Sequence, residues 1–195
     1  MVPIATTAMP RMLEDAALLT AEAHEALAEL LLALADDEFV LGFWDSEWTG
    51  IAPVLEEDVA YSSIAQDEIG HARALYELLA PLAGRSADVI AYDRDVAGFR
   101  QARLLDLDRG DWATSIARRY LYDTADAVRL AALSRSSYAP LAGLVGKLRR
   151  EEAYHLQHFD SWLRRLANDD AGRRAWSPRW TPSARRARLL LAAGG

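Results

Sequence analysis

Apolar positions recur at helical spacing through four long segments of the chain, with polar residues on the opposite positions. The alternating pattern of a strand ladder and the glycine-rich loop that binds phosphate are both missing from the sequence. Asp111 is a plausible N-cap for the third segment, and Pro140 suits the first turn of the fourth. The pattern therefore predicts an all-α protein with long helices over residues 10–46, 53–80, 111–134 and 138–168.

The lengths of the connections indicate how these helices are arranged. The breaks after the first helix and before the last are short, whereas the break over residues 81–110 is long. Residues 81–95 are predicted to form a loop with weak helical content, and residues 96–108 a short helix or an irregular lid. This connectivity is that of a ferritin-like four-helix bundle with one long crossover between its second and third helices.

The C-terminal residues differ in composition from the rest of the chain. Residues 171–195 contain six Arg and no acidic residue. We expect residues 1–168 to form the helical bundle and residues 169–195 to form a solvated tail, either poorly ordered or ending in a short helix from Ser183.

Composition narrows the classes of function. Hydrophobic residues make up 51% of the 195 residues, too many for a disordered chain, and the net charge of −7 argues against binding nucleic acid. The absence of Cys excludes disulfides and thiolate-bound clusters. The first residues lack a basic region ahead of an apolar run, and no stretch of 18 uncharged apolar residues occurs. These features predict a cytoplasmic protein without a membrane partner.

Two of the predicted helices carry the motif Glu-x-x-His, once as Glu68 and His71 and once as Glu152 and His155. Residues three apart lie on the same face of a helix, so each motif directs two potential metal ligands to one place. A single motif of this kind is usually a solvated pair. Two of only four His residues occur in it here, which favours a shared function.

Each of the other two helices offers one carboxylate within an apolar stripe. Glu38 precedes Glu68 by 30 residues, and Asp123 precedes Glu152 by 29 residues. The chain thus contains two similar hairpins, which a pseudo-twofold axis could relate. The apolar neighbours on the stripe of Glu38 are Leu27, Leu31, Leu34 and Leu41, and those on the stripe of Asp123 are Ile116, Tyr120, Ala127 and Leu130.

Four carboxylates and two imidazoles at the middle of a bundle are the ligand set of a carboxylate-bridged di-metal site. Four carboxylates balance the charge of two divalent cations, and one imidazole per metal fits iron while manganese remains possible. Without a cation, several buried carboxylates would be costly. Asp67 and Glu151 each precede a ligand Glu, and we predict that they orient the two imidazoles.

Three stretches resemble the phenylacetyl-coenzyme A oxygenase (epoxidase) subunit family. "DDEFVLGFWDSEWTGIAPVLEEDVAYSSIAQDEIGHAR" is similar to the first hairpin of these subunits, and "ARRYLYDTADAV" and "REEAYHLQHFDSWLRRLAN" are similar to the second. The similarity covers most of residues 30–168. The family contains a catalytic di-iron subunit and a homologous structural subunit that lacks ligands. The overall sequence of this chain is more similar to the structural subunit, but its six ligand positions match those of the catalytic subunit, including an Asp on the third helix.

The resemblance implies an O2-activating monooxygenase component with two iron ions, acting on an aromatic acyl-coenzyme A or a similar substrate. It further implies a homodimer or a hetero-oligomer with related subunits, and a separate reductase. Two alternatives stay open, a non-catalytic scaffold subunit and a ferritin-like protein that oxidises iron. The chain is shorter than either subunit type, so the resemblance supports the expected metal better than the expected substrate.

Overall fold

The computed structural model describes residues 12–168, and this part of the chain is helical. It contains no strand, only an isolated bridge between Leu13 and Tyr138. The all-α prediction is confirmed, whereas the predicted tail at residues 169–195 lies outside the described residues. None of the described helices is long and apolar enough to cross a membrane. The helices are α1 (Ala21–Ser46), α2 (Leu55–Ala83), α3 (Ala87–Tyr92), α4 (Trp112–Leu133) and α5 (Ala139–Asn168).

The first helix begins later than the apolar pattern predicted. Thr20 is its N-cap, with an extended backbone and a side-chain oxygen that accepts a hydrogen bond from the N–H of Ala23. A separate 3-10 turn over Ala16–Leu18 precedes it, and Asp15 caps that turn. The prediction of one helix from residue 10 was therefore wrong for the described residues before Ala21, because two short polar side chains cap separate turns there.

The second helix and the crossover also differ from the prediction in detail. Helix α2 continues past Pro81, which removes only one hydrogen bond from the last turn, and it ends at Gly84 in the left-handed conformation. Within the predicted loop, Ser86 caps the short helix α3. Beyond it, the crossover forms a 3-10 turn over Val96–Gly98 and then follows an irregular path to Asp111, which caps α4 as predicted.

Two adjacent buried acids on α1 hold the crossover against the bundle. Asp36 accepts hydrogen bonds from the backbone N–H of Arg100 at 2.7 Å and from the hydroxyl of Tyr76 at 2.6 Å, and it pairs with Arg94. Its neighbour Asp37 accepts from three further donors, the N–H of Ala102 (2.6 Å), the hydroxyl of Tyr122 (2.9 Å) and the guanidinium of Arg129 (3.0 Å). The long connection is thus attached to α1 through its own backbone amides.

Each long helix passes from one apolar cluster to another. The larger cluster includes Leu34 of α1, Leu75 of α2, Leu130 of α4 and Leu148 of α5. The second cluster is aromatic and contains Trp48, Tyr61, Ile116 and Phe159. The predicted ligands lie between these positions in sequence on α2, α4 and α5, and Glu38 lies between Leu34 and Trp48, which follows the end of α1. The fold therefore encloses a polar layer between two apolar clusters.

Candidate metal centre

All six predicted ligands are buried in the polar layer. They come from four helices, with Glu38 on α1, Glu68 and His71 on α2, Asp123 on α4, and Glu152 and His155 on α5. None is more than 6% exposed. Neither Glu38 nor Asp123 faces solvent, although each belongs to a helix without a second predicted ligand. The helices therefore bring together side chains that are up to 117 positions apart (155 − 38).

Four of these side chains converge on one point. Nδ1 of His71 lies 3.3 Å from Oε2 of Glu38 and 3.1 Å from Oε1 of Glu152. Glu38, Glu68, His71 and Glu152 each present a ligand atom within 4.8 Å of the others. This donor set of three carboxylates and one imidazole suits a divalent cation such as iron or manganese.

The other half of the centre is arranged differently. Nδ1 of His155 lies 3.1 Å from Oε1 of Glu68 and 3.3 Å from Oε1 of Glu152, and the rings of the two imidazoles are 6.2 Å apart. Among residues 12–168, no second group with the spacing of the first includes Asp123 or His155. The pseudo-twofold pattern of the sequence is thus incomplete in the arrangement of the side chains.

The outer nitrogens of the imidazoles contact the two acids that the sequence suggested for this role. Nε2 of His71 lies 2.8 Å from Glu151 on α5, and Nε2 of His155 lies 3.2 Å from Asp67 on α2. Each acid therefore contacts the imidazole of the opposite hairpin. Because one ring nitrogen is held by a carboxylate, the other is directed into the centre.

Arg119 of α4 is a feature of this centre that the sequence reasoning missed. It is fully buried, and its Nη2 donates a hydrogen bond of 2.5 Å to Oε1 of Glu68. The same nitrogen lies 3.4 Å from Asp123, and Nε lies 3.5 Å from Asp45. Its guanidinium also lies over the ring of Phe159. The polar layer therefore already contains a permanent positive charge, since the guanidinium does not lose its proton in proteins.

Two further buried acids were also missed. Asp45 lies seven residues after Glu38 on α1, and Asp126 lies three residues after Asp123 on α4, where it pairs with Arg129 at 2.5 Å. Helical spacing from the predicted ligands was the signal that could have found both residues. Burial raises the pKa of each carboxyl to about 6, although Arg119 and Arg129 respectively counteract the effect.

The pKa values of the imidazoles show that carboxylates dominate their surroundings. Burial alone lowers the pKa of His71 and of His155. Hydrogen bonding to Glu152 and the negative charge of Glu68 outweigh burial, so the pKa of His71 rises to about 9 and that of His155 to about 10. The centre therefore attracts positive charge, as a cation site must.

The carboxyl groups divide into two kinds. Burial raises the pKa of Glu38 and of Asp123 well above the usual range. The pKa of Glu68 is lowered, because Arg119 and His155 overcome the effect of burial. Burial and the charge of Glu68 raise the pKa of Glu152, but its contacts with both imidazoles outweigh them and lower it. Glu68 and Glu152 are therefore the anionic carboxylates of the centre.

Buried carboxyl oxygens that lack a hydrogen bond show whether a cation would fit in the centre. Oε2 of Glu68 and both carboxyl oxygens of Asp123 are buried without a hydrogen bond. Buried carboxylate oxygens normally have partners, so these oxygens require a nearby positive charge, either a bound cation or an ion-pair partner such as Arg119. A cation fits best at the group formed by Glu38, Glu68, His71 and Glu152, because their ligand atoms converge and the group contacts Arg119 only through Glu68.

Comparison with known proteins identifies relatives of the chain. The family model of the phenylacetic acid catabolic proteins matches residues 9–176. Two components of the 1,2-phenylacetyl-CoA epoxidase of Escherichia coli are also similar to it. One is 36% identical over 143 residues, which are 73% of this chain and 58% of that component. The other is 29% identical over 122 residues, which are 62% of this chain and 39% of that component. The chain thus spans less than two thirds of each of these relatives.

Proposed function

Because the chain belongs to the phenylacetic acid catabolic protein family, we propose that it is a metal-binding subunit of an O2-dependent oxygenase that acts on an aromatic acyl-coenzyme A. The observation that carries the proposal is the buried convergence of Glu38, Glu68, His71 and Glu152. The two epoxidase components among its relatives support the reaction class. A buried group of this composition has little structural value without a cation, since replacing it with apolar residues is often neutral or stabilising.

The proposed metal is iron, with manganese as the alternative. The sequence predicted two ions bound by Glu38, Glu68, His71, Asp123, Glu152 and His155, and the proposal of an oxygenase requires that at least one ion binds. Bound iron supplies the binding and reduction of O2 in chemistry of this class. The chain's own residues hold the cation, neutralise its charge and keep bulk water away, since the donor atoms lie between two apolar clusters.

The composition and the relatives support two kinds of partner for the proposed oxygenase. The chain has no Cys, so it cannot hold an iron–sulfur cluster through thiolates, and a separate reductase would supply electrons. Both epoxidase relatives are named as subunits, which supports assembly with a related chain.

A non-catalytic scaffold subunit is the second candidate, and one specific contact favours it. Arg119 pairs with Glu68 and Asp123, two of the predicted metal ligands. Ion pairing of this kind would allow the polar layer to persist in a subunit that no longer turns over substrate.

Metal content and O2 consumption, measured on the same preparations, test the proposal. The chain and its Glu68→Ala variant would be loaded with Fe2+ without oxygen, desalted, and mixed with a reductase and phenylacetyl-coenzyme A. We expect bound iron and substrate-dependent O2 consumption for the chain, and loss of both for Glu68→Ala. Glu56→Ala is the matched control, because this exposed acid of the same helix lies in its first turn. Bound iron without turnover, also with related subunits added, would favour the scaffold, and absence of bound metal would contradict the oxygenase and likewise leave the scaffold.

A further inference from the structure

The two halves of the polar layer differ at one pair of equivalent positions. Glu38 and Asp123 are the equivalent carboxylates of the two hairpins. Four residues before each of them, one helical turn away on the same face, stand Leu34 on α1 and Arg119 on α4. Leu34 is buried within the larger apolar cluster, whereas Arg119 is buried against carboxylates. One half of the centre is therefore bordered by a neutral side chain and the other by a fixed positive charge.

Arg119 contacts the atoms that a second cation would need. Its Nη2 lies 2.5 Å from Oε1 of Glu68 and 3.4 Å from Oδ1 of Asp123. Oε1 of Glu68 is the same atom that lies 3.1 Å from Nδ1 of His155. The guanidinium thus lies among the donors of the half of the centre that contains Asp123 and His155, and places a permanent positive charge beside the carboxylates there.

Asp45 forms a further ion pair with the guanidinium. Its Oδ2 lies 3.5 Å from Nε of Arg119, and it is 1% exposed. Moving Arg119 away would leave this carboxyl buried without its cationic partner, which is strongly unfavourable. The packing of the guanidinium against the ring of Phe159, 5.0 Å from the ring centre, adds a second restraint.

From these contacts we propose that the centre binds a single divalent cation, at Glu38, Glu68, His71 and Glu152, and that Arg119 replaces the second cation. The inference rests on the proposed function, because it assumes that the centre binds a metal. A divalent ion placed in the Asp123 half would meet the permanent charge of Arg119 within a few ångströms. In this account Asp123 is a partner of Arg119 and does not bind metal.

Metal stoichiometry tests the inference without any assay of activity. The chain and its Arg119→Leu and Arg119→Lys variants would be loaded with excess Mn2+ alone and desalted, and bound manganese per chain would be measured. Leucine is the residue at the equivalent position of α1, and lysine keeps the positive charge. We expect about one Mn2+ per chain for the unmodified protein and for Arg119→Lys, and about two for Arg119→Leu. The electron paramagnetic resonance spectrum should change from that of an isolated ion to that of a coupled pair.

Two further variants address the case in which Arg119→Leu does not fold. Glu38→Gln and Asp123→Asn make the same change at the two equivalent positions and leave Arg119 in place. We expect Glu38→Gln to lose the bound Mn2+ and Asp123→Asn to keep it. Two ions in the unmodified chain, one ion in folded Arg119→Leu, or loss of the ion in Asp123→Asn would overturn the inference while the proposed metal function stands. No bound ion in any of the proteins would contradict the proposed function itself.

Discussion

Glu151 on α5 lies 2.8 Å from Nε2 of His71 on α2, so an acid of one hairpin orients the imidazole of the other. Asp67 has the same relationship to His155 at 3.2 Å. The two acids are similarly exposed, with 36% and 44% of their side chains accessible to solvent. They differ in the half of the centre that they serve, because His71 belongs to the convergent group and His155 does not.

Removal of Glu151 should therefore weaken metal binding more than removal of Asp67. We expect Glu151→Ala to reduce the affinity for Mn2+ by about 10- to 100-fold, the usual effect of losing a carboxylate that orients a ligand imidazole. Asp67→Ala is the matched control and should change the affinity less. Competition titrations with a chelating indicator would measure both. Equal losses in the two variants would show that both imidazoles bind metal.

The attachment of the crossover to α1 gives a prediction about stability. Asp36 is fully buried and pairs with Arg94, so Asp36→Ala leaves that guanidinium without its charged partner. We expect the free energy of unfolding to fall by about 3–5 kcal/mol, as measured by urea denaturation.

An exposed ion pair provides the control for this prediction. Arg73 and Glu77 pair on the surface of α2, with 79% and 56% of their side chains exposed. Arg73→Ala should therefore cost less than about 1 kcal/mol. If Asp36→Ala were as mild as Arg73→Ala, the crossover would not depend on this contact.

The sequence predicted the long helices well because apolar periodicity extends through all of them. It failed where short polar side chains compete for the backbone, as Thr20 and Ser86 do by capping helices that the apolar pattern did not separate. Helix α3 has only six residues, which is too short for periodicity to distinguish it from a loop. Pro81 did not end its helix because it lies in the last turn, where little hydrogen bonding remains to be lost.

The acidic and histidine residues of the candidate site were predicted from the sequence, but its buried arginine was not. The repeated Glu-x-x-His motif identified side chains that are all buried in one polar layer, although their role as metal ligands stays a prediction. Arg119 was overlooked because "ARRYLYDTADAV" contains two adjacent arginines, and charged residues on a helix usually face solvent. Only the packing of α4 against the other helices shows that Arg119 lies inside, beside Glu68. A sequence pattern predicts which residues share a face of one helix, but it does not predict which charged side chains pair between two helices.

Anomalous X-ray scattering at the iron absorption edge, from crystals of the chain loaded with Fe2+, tests the central claim most directly, because it locates the metal itself. The account predicts one anomalous peak, among the donor atoms of Glu38, Glu68, His71 and Glu152, with Arg119 still paired to Asp123. Iron bound elsewhere, or no peak in the polar layer of protein loaded with iron, would contradict it.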